Sequence, residues 1–228
     1  MIATYLAIEN DTALHKRESK FWLSKNIGSL RVSTMNEGIA QAIKRQFYYI
    51  GINASNVNYQ PKLVHLREVT NAPILIATST YTMQEQGKAL SLGADLFGQI
   101  SDNPNDNYNS VVAQVNRINE RAKKPKPVTE IMISGEILMS RTRRQVYFGD
   151  EEVEMTRMDF DLLFFLMSNR GHVFSAEQLY HYLWDGDKSE AMTASVKAAI
   201  TRIRKKLPNP DLIENVWGQG YRFPMSEP

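Results

Sequence analysis

Between Ala194 and Leu207, apolar residues recur at Val196, Ile200, Ile203 and Leu207, in steps of four, three and four. On an α-helix that spacing stacks them into one narrow stripe, and such a stripe has to be covered by a core. The opposite face then carries Ala198, Thr201, Arg202 and Lys205, flanked by Lys197, Arg204 and Lys206, and no acidic residue falls between Ser195 and Leu207. A run of cations is most often a solvated helix face. Here a glycine-turned hairpin follows directly, closing in Val216-Trp-Gly-Gln-Gly-Tyr-Arg-Phe223. Helix and hairpin together predict a basic element fit for a DNA groove with a wing beside it.

These residues resemble the winged-helix effector domain of OmpR/PhoB-type response regulators. The resemblance extends upstream through Thr156-Arg-Met-Asp-Phe-Asp-Leu-Leu163, Gly171-His-Val-Phe-Ser-Ala-Glu-Gln-Leu179 and Leu183-Trp184, in the family's order and spacing. It implies roles position by position. Arg202 falls on the arginine that reaches base edges, and its planar fork suits guanine O6 and N7; Ala198 falls on a small residue able to touch a thymine methyl. Trp184, Ser195, Arg204, Asn215 and Tyr221 match positions that grip phosphates, Thr201 stands where relatives carry a cation, and Lys197, Lys205 and Lys206 add charge. Phosphate contacts orient a domain and confer salt dependence without reading sequence. Where several relatives put a minor-groove arginine on the wing, this chain has Trp217, which can pack on sugars but cannot follow a narrow groove's negative potential as arginine does. Arg222 lies in a Tyr-Arg-Phe setting that suits support of the wing, and Trp184, an aromatic at a helix end, is as readily core as contact.

A chain of 228 residues is comfortable as two domains. Lys123-Lys-Pro-Lys-Pro127, with two prolines and three like charges, resists helix and sheet alike and is the expected linker between domains at 1–122 and 128–228. No apolar run approaches the roughly 18 residues of a membrane span, and Met1 to Ile8 lacks the positive region of a signal peptide, so a cytoplasmic protein without membrane contact is expected. The absence of cysteine excludes disulfides, thiol nucleophiles and cysteine-ligated zinc. With four scattered histidines and no H-E-x-x-H, no metal site and no cofactor are expected. Residues 128–228 hold twelve cations against fifteen acids. Nucleic-acid binding therefore rests on the clustering of cations at 197–206, with acids gathered at 150–161 and 185–190, and not on net charge.

Upstream of the linker, five short apolar runs alternate with helical patterns, which predicts a doubly wound α/β domain on a five-stranded parallel sheet. Downstream, four short runs with a Gly149-Asp150 turn predict a small antiparallel sheet, followed by helices near 157–169, 176–184 and 194–207, an α+β winged helix-turn-helix. Thr156 and Ser175 stand where helix N-caps are required, the latter in the S-x-x-[EQ] form.

The N-terminal half resembles a response-regulator receiver domain, through its topology and the stretch from Thr78 to Gly93-Ala-Asp95. In a working receiver an aspartate ending the third strand accepts the phosphoryl group, an acidic pair after the first strand holds Mg²⁺, and a lysine follows the fifth strand. Aligned at the strand ends, the acidic pair falls on Glu9 and Asn10, the acceptor on Asn53 and the lysine on Ile100, while Thr78 and the aromatic Phe97 are kept. An amide cannot serve as the nucleophile, and the transferring group loses the charges that would neutralise it. Asp11 and Asp95 lie close enough to suggest a weak cation site, yet one neighbour does not replace acceptor, metal ligand and lysine together. Any small-ligand pocket belongs at the carboxyl ends of the strands, near Glu9, Asn53 and Thr78.

The expected protein is therefore a pseudo-receiver joined to a winged helix. It is a sequence-specific transcriptional regulator acting independently of aspartyl phosphorylation, with no catalytic residues. Its partner is double-stranded DNA carrying repeated half-sites. The resemblance implies a homodimer through the fourth helix, fifth strand and fifth helix; Leu96 and Gln114 replace charged residues there, leaving Val111, Val112, Val115 and Ile118 as apolar positions. The loop Asp185-Gly-Asp-Lys-Ser-Glu190 matches the place where family members touch RNA polymerase. The rival reading is a signalling adapter or ligand sensor, whose pseudo-receiver binds a protein or small molecule and controls DNA binding. An active phospho-accepting switch has the least support.

Overall fold

The computed structural model describes residues 2–103, 105–121, 130–184 and 190–225. It divides into two compact units, 1–129 and 130–228. The expected linker at 123–127 and residues 185–189 of the loop matched to polymerase contact lie outside the described residues.

The first unit alternates strand and helix: β1 (Ala3–Ile8), α1 (Thr12–Ser24), β2 (Ile27–Val32), α2 (Met35–Lys44), β3 (Ile50–Asn53), α3 (Leu63–Val69), β4 (Ile74–Thr78), α4 (Met83–Ser91), β5 (Leu96–Gln99) and α5 (Asn105–Arg121). All pairings are parallel, in the order β2-β1-β3-β4-β5. This is the expected doubly wound sheet, and its two faces differ. Leu6, Ile8, Ile50, Ile52, Ile74 and Ile76, on one side of the pleat, are fully buried aliphatics. Helix α2 presses so closely on that face that a Cβ on Gly38 would sit 2.3 Å from Ile8 Cδ1. The other side carries Tyr5, Ala7 and Tyr49, packed with Trp22 of α1 and Val115 of α5. Of the apolar positions expected on α5, Val115 is buried and Val111, Val112 and Ile118 are half-buried, so part of that stripe belongs to the unit's own core.

The second unit opens with an antiparallel sheet of β6 (Ile131–Ser134), β7 (Ile137–Ser140), β8 (Gln145–Phe148) and β9 (Glu151–Glu152), the last hairpin turning at Gly149 with φ 55°. Three helices follow: α6 (Arg157–Ser168), α7 (Ala176–Leu183) and α8 (Glu190–Lys206). The Thr156 hydroxyl accepts from Asp159 N, and Ser175 forms a reciprocal capping box with Gln178, as expected. Helix α8 starts earlier than the periodicity at 194–207 suggested, because residues before Ala194 lack the apolar stripe that marks a helix in sequence.

After a 3₁₀ turn at Pro210–Leu212, β10 (Glu214–Val216) and β11 (Gly220–Arg222) form the wing hairpin. Its inner strand is tied to Phe174, which donates to and accepts from Tyr221 across 2.9 Å in both directions. Gly220 permits that approach: its φ is 137°, and a Cβ there would lie 2.0 Å from Phe174 O.

Candidate nucleic-acid interface and receiver site

The expected stripe on α8 is buried in full, Val196, Ile200, Ile203 and Leu207 being joined by Ala199. They close the core of the second unit with Phe160, Leu163, Leu166, Leu179 and Phe223. Lys197, Ala198, Thr201, Lys205 and Lys206 are exposed. Thr201 turns its hydroxyl back to Lys197 O at 2.9 Å, which leaves its methyl outward.

Arg202 keeps 42 % of its side chain exposed, but one edge of its guanidinium is held inside the unit. Its Nε and Nη2 donate to both oxygens of Asp159 on α6, at 3.1 and 2.7 Å, and Asp159 is 0 % exposed. The hydrogen bonds to this carboxylate raise the arginine's pKa further. A guanidinium has five N–H groups on two usable edges, and Asp159 occupies one edge. The other, Nη1 with the second Nη2 hydrogen, remains for a ligand. Arg202 is thus a preset fork, and the residue that sets it, Asp159, was missed in the sequence: as the third residue of a helix it reads only as an acid favoured near a helix N-terminus.

Several other cations are also engaged within their own unit, each on a carbonyl or carboxylate. Arg204 donates through Nη2 to Ile213 O, tying α8 to the strand that leads into the wing, and its Nε is buried. Lys206 Nζ donates to Glu154 O at 2.6 Å. Arg222 pairs with Glu214, its cross-strand neighbour in the wing, at 2.5 Å, in line with a supporting role. Trp184, the C-cap of α7, is half-buried with its ring 5.6 Å from Tyr180, and Tyr221 is likewise half-buried against the core. Ser195 is half-buried and Asn215 exposed. Trp217 is 93 % exposed at the tip of the hairpin, beside Gly218 with φ 71°.

At the receiver positions Glu9, Asn53 and Thr78 are buried and Asn10 is exposed. Asn53 Oδ1 accepts from Ser55 N at 3.0 Å; Asn10 donates through N and Nδ2 to Asn56. The Thr78 hydroxyl donates to Thr80 O, Phe97 packs its ring 5.7 Å from Tyr81, and Ile100 N donates to Thr78 O. Glu9 is joined to His15 Nδ1 at 2.9 Å. Burial pushes the Glu9 carboxyl up to about 7, against the pull of Arg31, and lowers His15.

The two acids weighed for a weak cation site, and set aside, are engaged elsewhere. Asp11 caps α1, accepting from Ala13 and Leu14 N, and Asp95 accepts from Arg67 Nη1 at 2.7 Å and Ile74 N at 2.8 Å. Among the described residues no cluster of three acids or histidines is placed to hold a metal.

The pocket location expected from the strand ends holds only in part. A cavity of about 520 Å³ touches Glu9 and Asn53, but not Thr78. It continues away from the strand ends beneath α1 and α5, because the sheet carries small residues there.

No helix among the described residues is long and apolar enough to cross a membrane. Residues 150–223 match the family described as "Transcriptional regulatory protein, C terminal". The chain is 32 % identical over 162 residues to the uncharacterized transcriptional regulatory protein YclJ of Bacillus subtilis, covering 69 % of this chain and 70 % of that protein. It is 26 % identical over 189 residues to the response regulator ArlR of Staphylococcus epidermidis, covering 81 % and 82 %. Among solved structures, the DNA-binding domain of Klebsiella pneumoniae RstA in complex with RstA box is 31 % identical, with a TM-score of 0.38, over 42 % of this chain and 97 % of that one. The chain belongs to the OmpR/PhoB-type response regulators, transcriptional regulatory proteins with a C-terminal DNA-binding winged helix.

Proposed function

We propose that this protein is a sequence-specific transcriptional regulator whose receiver-like unit does not work by aspartyl phosphorylation. The observation that carries the reading is Asn53 at the end of β3, where an acceptor carboxylate would have to stand. An amide has no nucleophilic oxygen of that kind, Asn10 removes a metal ligand, and Ile100 removes the cation that would meet the transferred group. The protein has no catalytic step in this reading. It binds duplex half-sites as a homodimer, with Lys197, Ala198, Thr201 and Lys205 of α8 toward the groove, Arg202 reading a base with its free edge, and Asn215 and Trp217 meeting the backbone through the wing. Residues 123–127 serve as linker, and 185–190 as the surface for RNA polymerase.

Incubation with acetyl phosphate, or with beryllofluoride, in the presence of Mg²⁺ tests the central claim. Neither mass nor DNA affinity should change; a stoichiometric, base-labile phosphoryl adduct would end it. The ligand-sensor reading is favoured by one observation, the cavity beneath α1 and α5.

A further inference from the structure

On the side of the first sheet that faces α1 and α5, Ala7, Gly51, Ala77 and Gly98 stand on β1, β3, β4 and β5. Larger residues at these points would fill the layer. A Cβ added to Gly98 would meet nothing within 4 Å. The space left is part of an open pocket of about 520 Å³ that also reaches Gln86 and Leu90 of α4 around the β5 edge, a volume within the range of small-molecule sites. Its walls are aromatic: Tyr5 stacks on Tyr49 at 4.8 Å, and Trp22 stands 5.8 Å from Tyr5, 5.3 Å from Tyr49 and 5.4 Å from Tyr108.

The charged groups on the lining have one sign. Glu9, Glu18 and Asp95 reach it, and among the described lining residues there is no Lys, Arg or His. Asp95 is satisfied by Arg67 and Ile74 N. Glu18 has a long 3.8 Å contact with Arg17 and a side-chain hydrogen bond with Trp22, while Glu9 meets His15, which burial holds toward its neutral form; Glu18 raises the pKa of Glu9 by like-charge repulsion. The hydroxyl of Tyr5, buried at the same wall, makes no hydrogen bond of acceptable geometry, Ser29 across the strand pair acting on it only weakly. An aromatic wall beside two carboxyls whose near partners are a histidine held toward neutrality, an indole and one distant arginine, with the Tyr5 hydroxyl unbonded, is complementary to a positive charge on an apolar body.

We propose that this pocket binds a small organic cation, an aromatic amine whose ring packs against the sides that Tyr5, Trp22, Tyr49 and Tyr108 turn to the pocket and whose ammonium is taken by Glu18 and Glu9. Stacked rings supply cation–π attraction as well as apolar burial, and the carboxylates supply charge-assisted hydrogen bonds. Anions of the same shape are rejected by the two acids. This rests on the reading that the receiver-like unit is not driven by phosphate, and it gives the ligand-sensor reading a site and a ligand class.

The test uses full-length protein and three probes with one ring: tryptamine, the neutral tryptophol and the anionic indole-3-propionate. The readout is the ¹⁵N–¹H signal of the Trp22 indole, assigned with Trp22→Phe. Tryptamine should shift this signal saturably, bind at least about tenfold more tightly than tryptophol, and leave indole-3-propionate without saturable effect. Glu18→Gln, on a half-exposed helix face, should weaken tryptamine about tenfold and leave tryptophol unchanged. Gly98→Val, which suits a strand and fills the void, should abolish the tryptamine shift. Absence of saturation by tryptamine, equal affinity for the three probes, or binding that survives Gly98→Val overturns the proposal. DNA affinity of the same samples is followed by fluorescence anisotropy; its loss in the unliganded protein would count against the transcriptional reading alone, and phosphorylation by acetyl phosphate against the reading on which the cavity's regulatory role rests.

Discussion

Replacing Arg202 by alanine is expected to do two separable things. Asp159, 0 % exposed, would lose the Nε and Nη2 donors that hold its carboxylate. Removing one partner of a buried ion pair costs about 3–5 kcal/mol. The arginine is 42 % exposed, so water can enter where the guanidinium was, and a loss of about 2–3 kcal/mol is the more realistic figure. For a unit of about 100 residues that is a fall of roughly 8–20 °C in Tm. Arg202→Ala combined with Asp159→Asn removes the charge along with its partner and should recover about 1–2 kcal/mol, the coupling between the two sites. Differential scanning calorimetry of the single and double variants gives the cycle. Binding is then compared at a temperature where every variant is folded, by anisotropy on a specific and a random duplex. Arg202→Ala should lose about 1–3 kcal/mol on the specific site and much less on the random one. Asp159→Asn keeps the arginine but frees its fork, so it should lower discrimination between the duplexes more than total affinity. If Arg202→Ala leaves the Tm within about 2 °C of the parent, the pair does not brace this unit and the ledger above is wrong. Equal losses on both duplexes would show that α8 grips DNA without reading it.

Trp217, 93 % exposed at the wing tip, should respond to Trp217→Arg with tighter binding to sites flanked by A·T-rich sequence, where a narrow groove deepens the negative potential; unchanged preference in a flank-randomised selection would place the wing out of reach of the minor groove. Gly220→Ala, with φ 137° and a Cβ that would lie 2.0 Å from Phe174 O, should destabilise the winged unit by about 2–4 kcal/mol in chemical denaturation, and an effect below about 1 kcal/mol would mean the wing detaches freely from Phe174. Titration of the Glu9 carboxyl by ¹³C chemical shift should give a midpoint near 7 in place of 4.5. Since the folded pKa is raised, Glu9 contributes stability that is present below about 4.5 and lost as pH rises through about 7, so Glu9→Gln should flatten the decline in that window; a midpoint below 5 would refute the burial argument. Limited proteolysis should cut within 123–127 and release two folded fragments; resistance throughout that stretch would argue against a linker.

Local patterns in the sequence were enough to specify most elements of both units. The stripe of Val196, Ile200, Ile203 and Leu207 is buried where its spacing required, and Thr156 and Ser175 cap the helices they precede. These features depend on neighbours within a turn or two, so periodicity and side-chain chemistry suffice to read them. The residue types at positions 10, 53 and 100, on which the proposed independence from phosphorylation rests, are equally legible in the sequence. What each cation does is not. Arg202, Arg204 and Lys206 look alike in a charge run, but one faces a carboxylate 43 residues upstream, one a carbonyl 9 residues downstream and one a carbonyl 52 residues upstream. Nothing local marks those partners, because tertiary packing brings α6, the residues before it and the segment leading into β10 against α8. The pocket has the same origin: Ala7, Gly51, Ala77 and Gly98 are small residues on separate strands, and only the register of β1, β3, β4 and β5 puts them on one face of the sheet, where they leave a space beside the aromatic core.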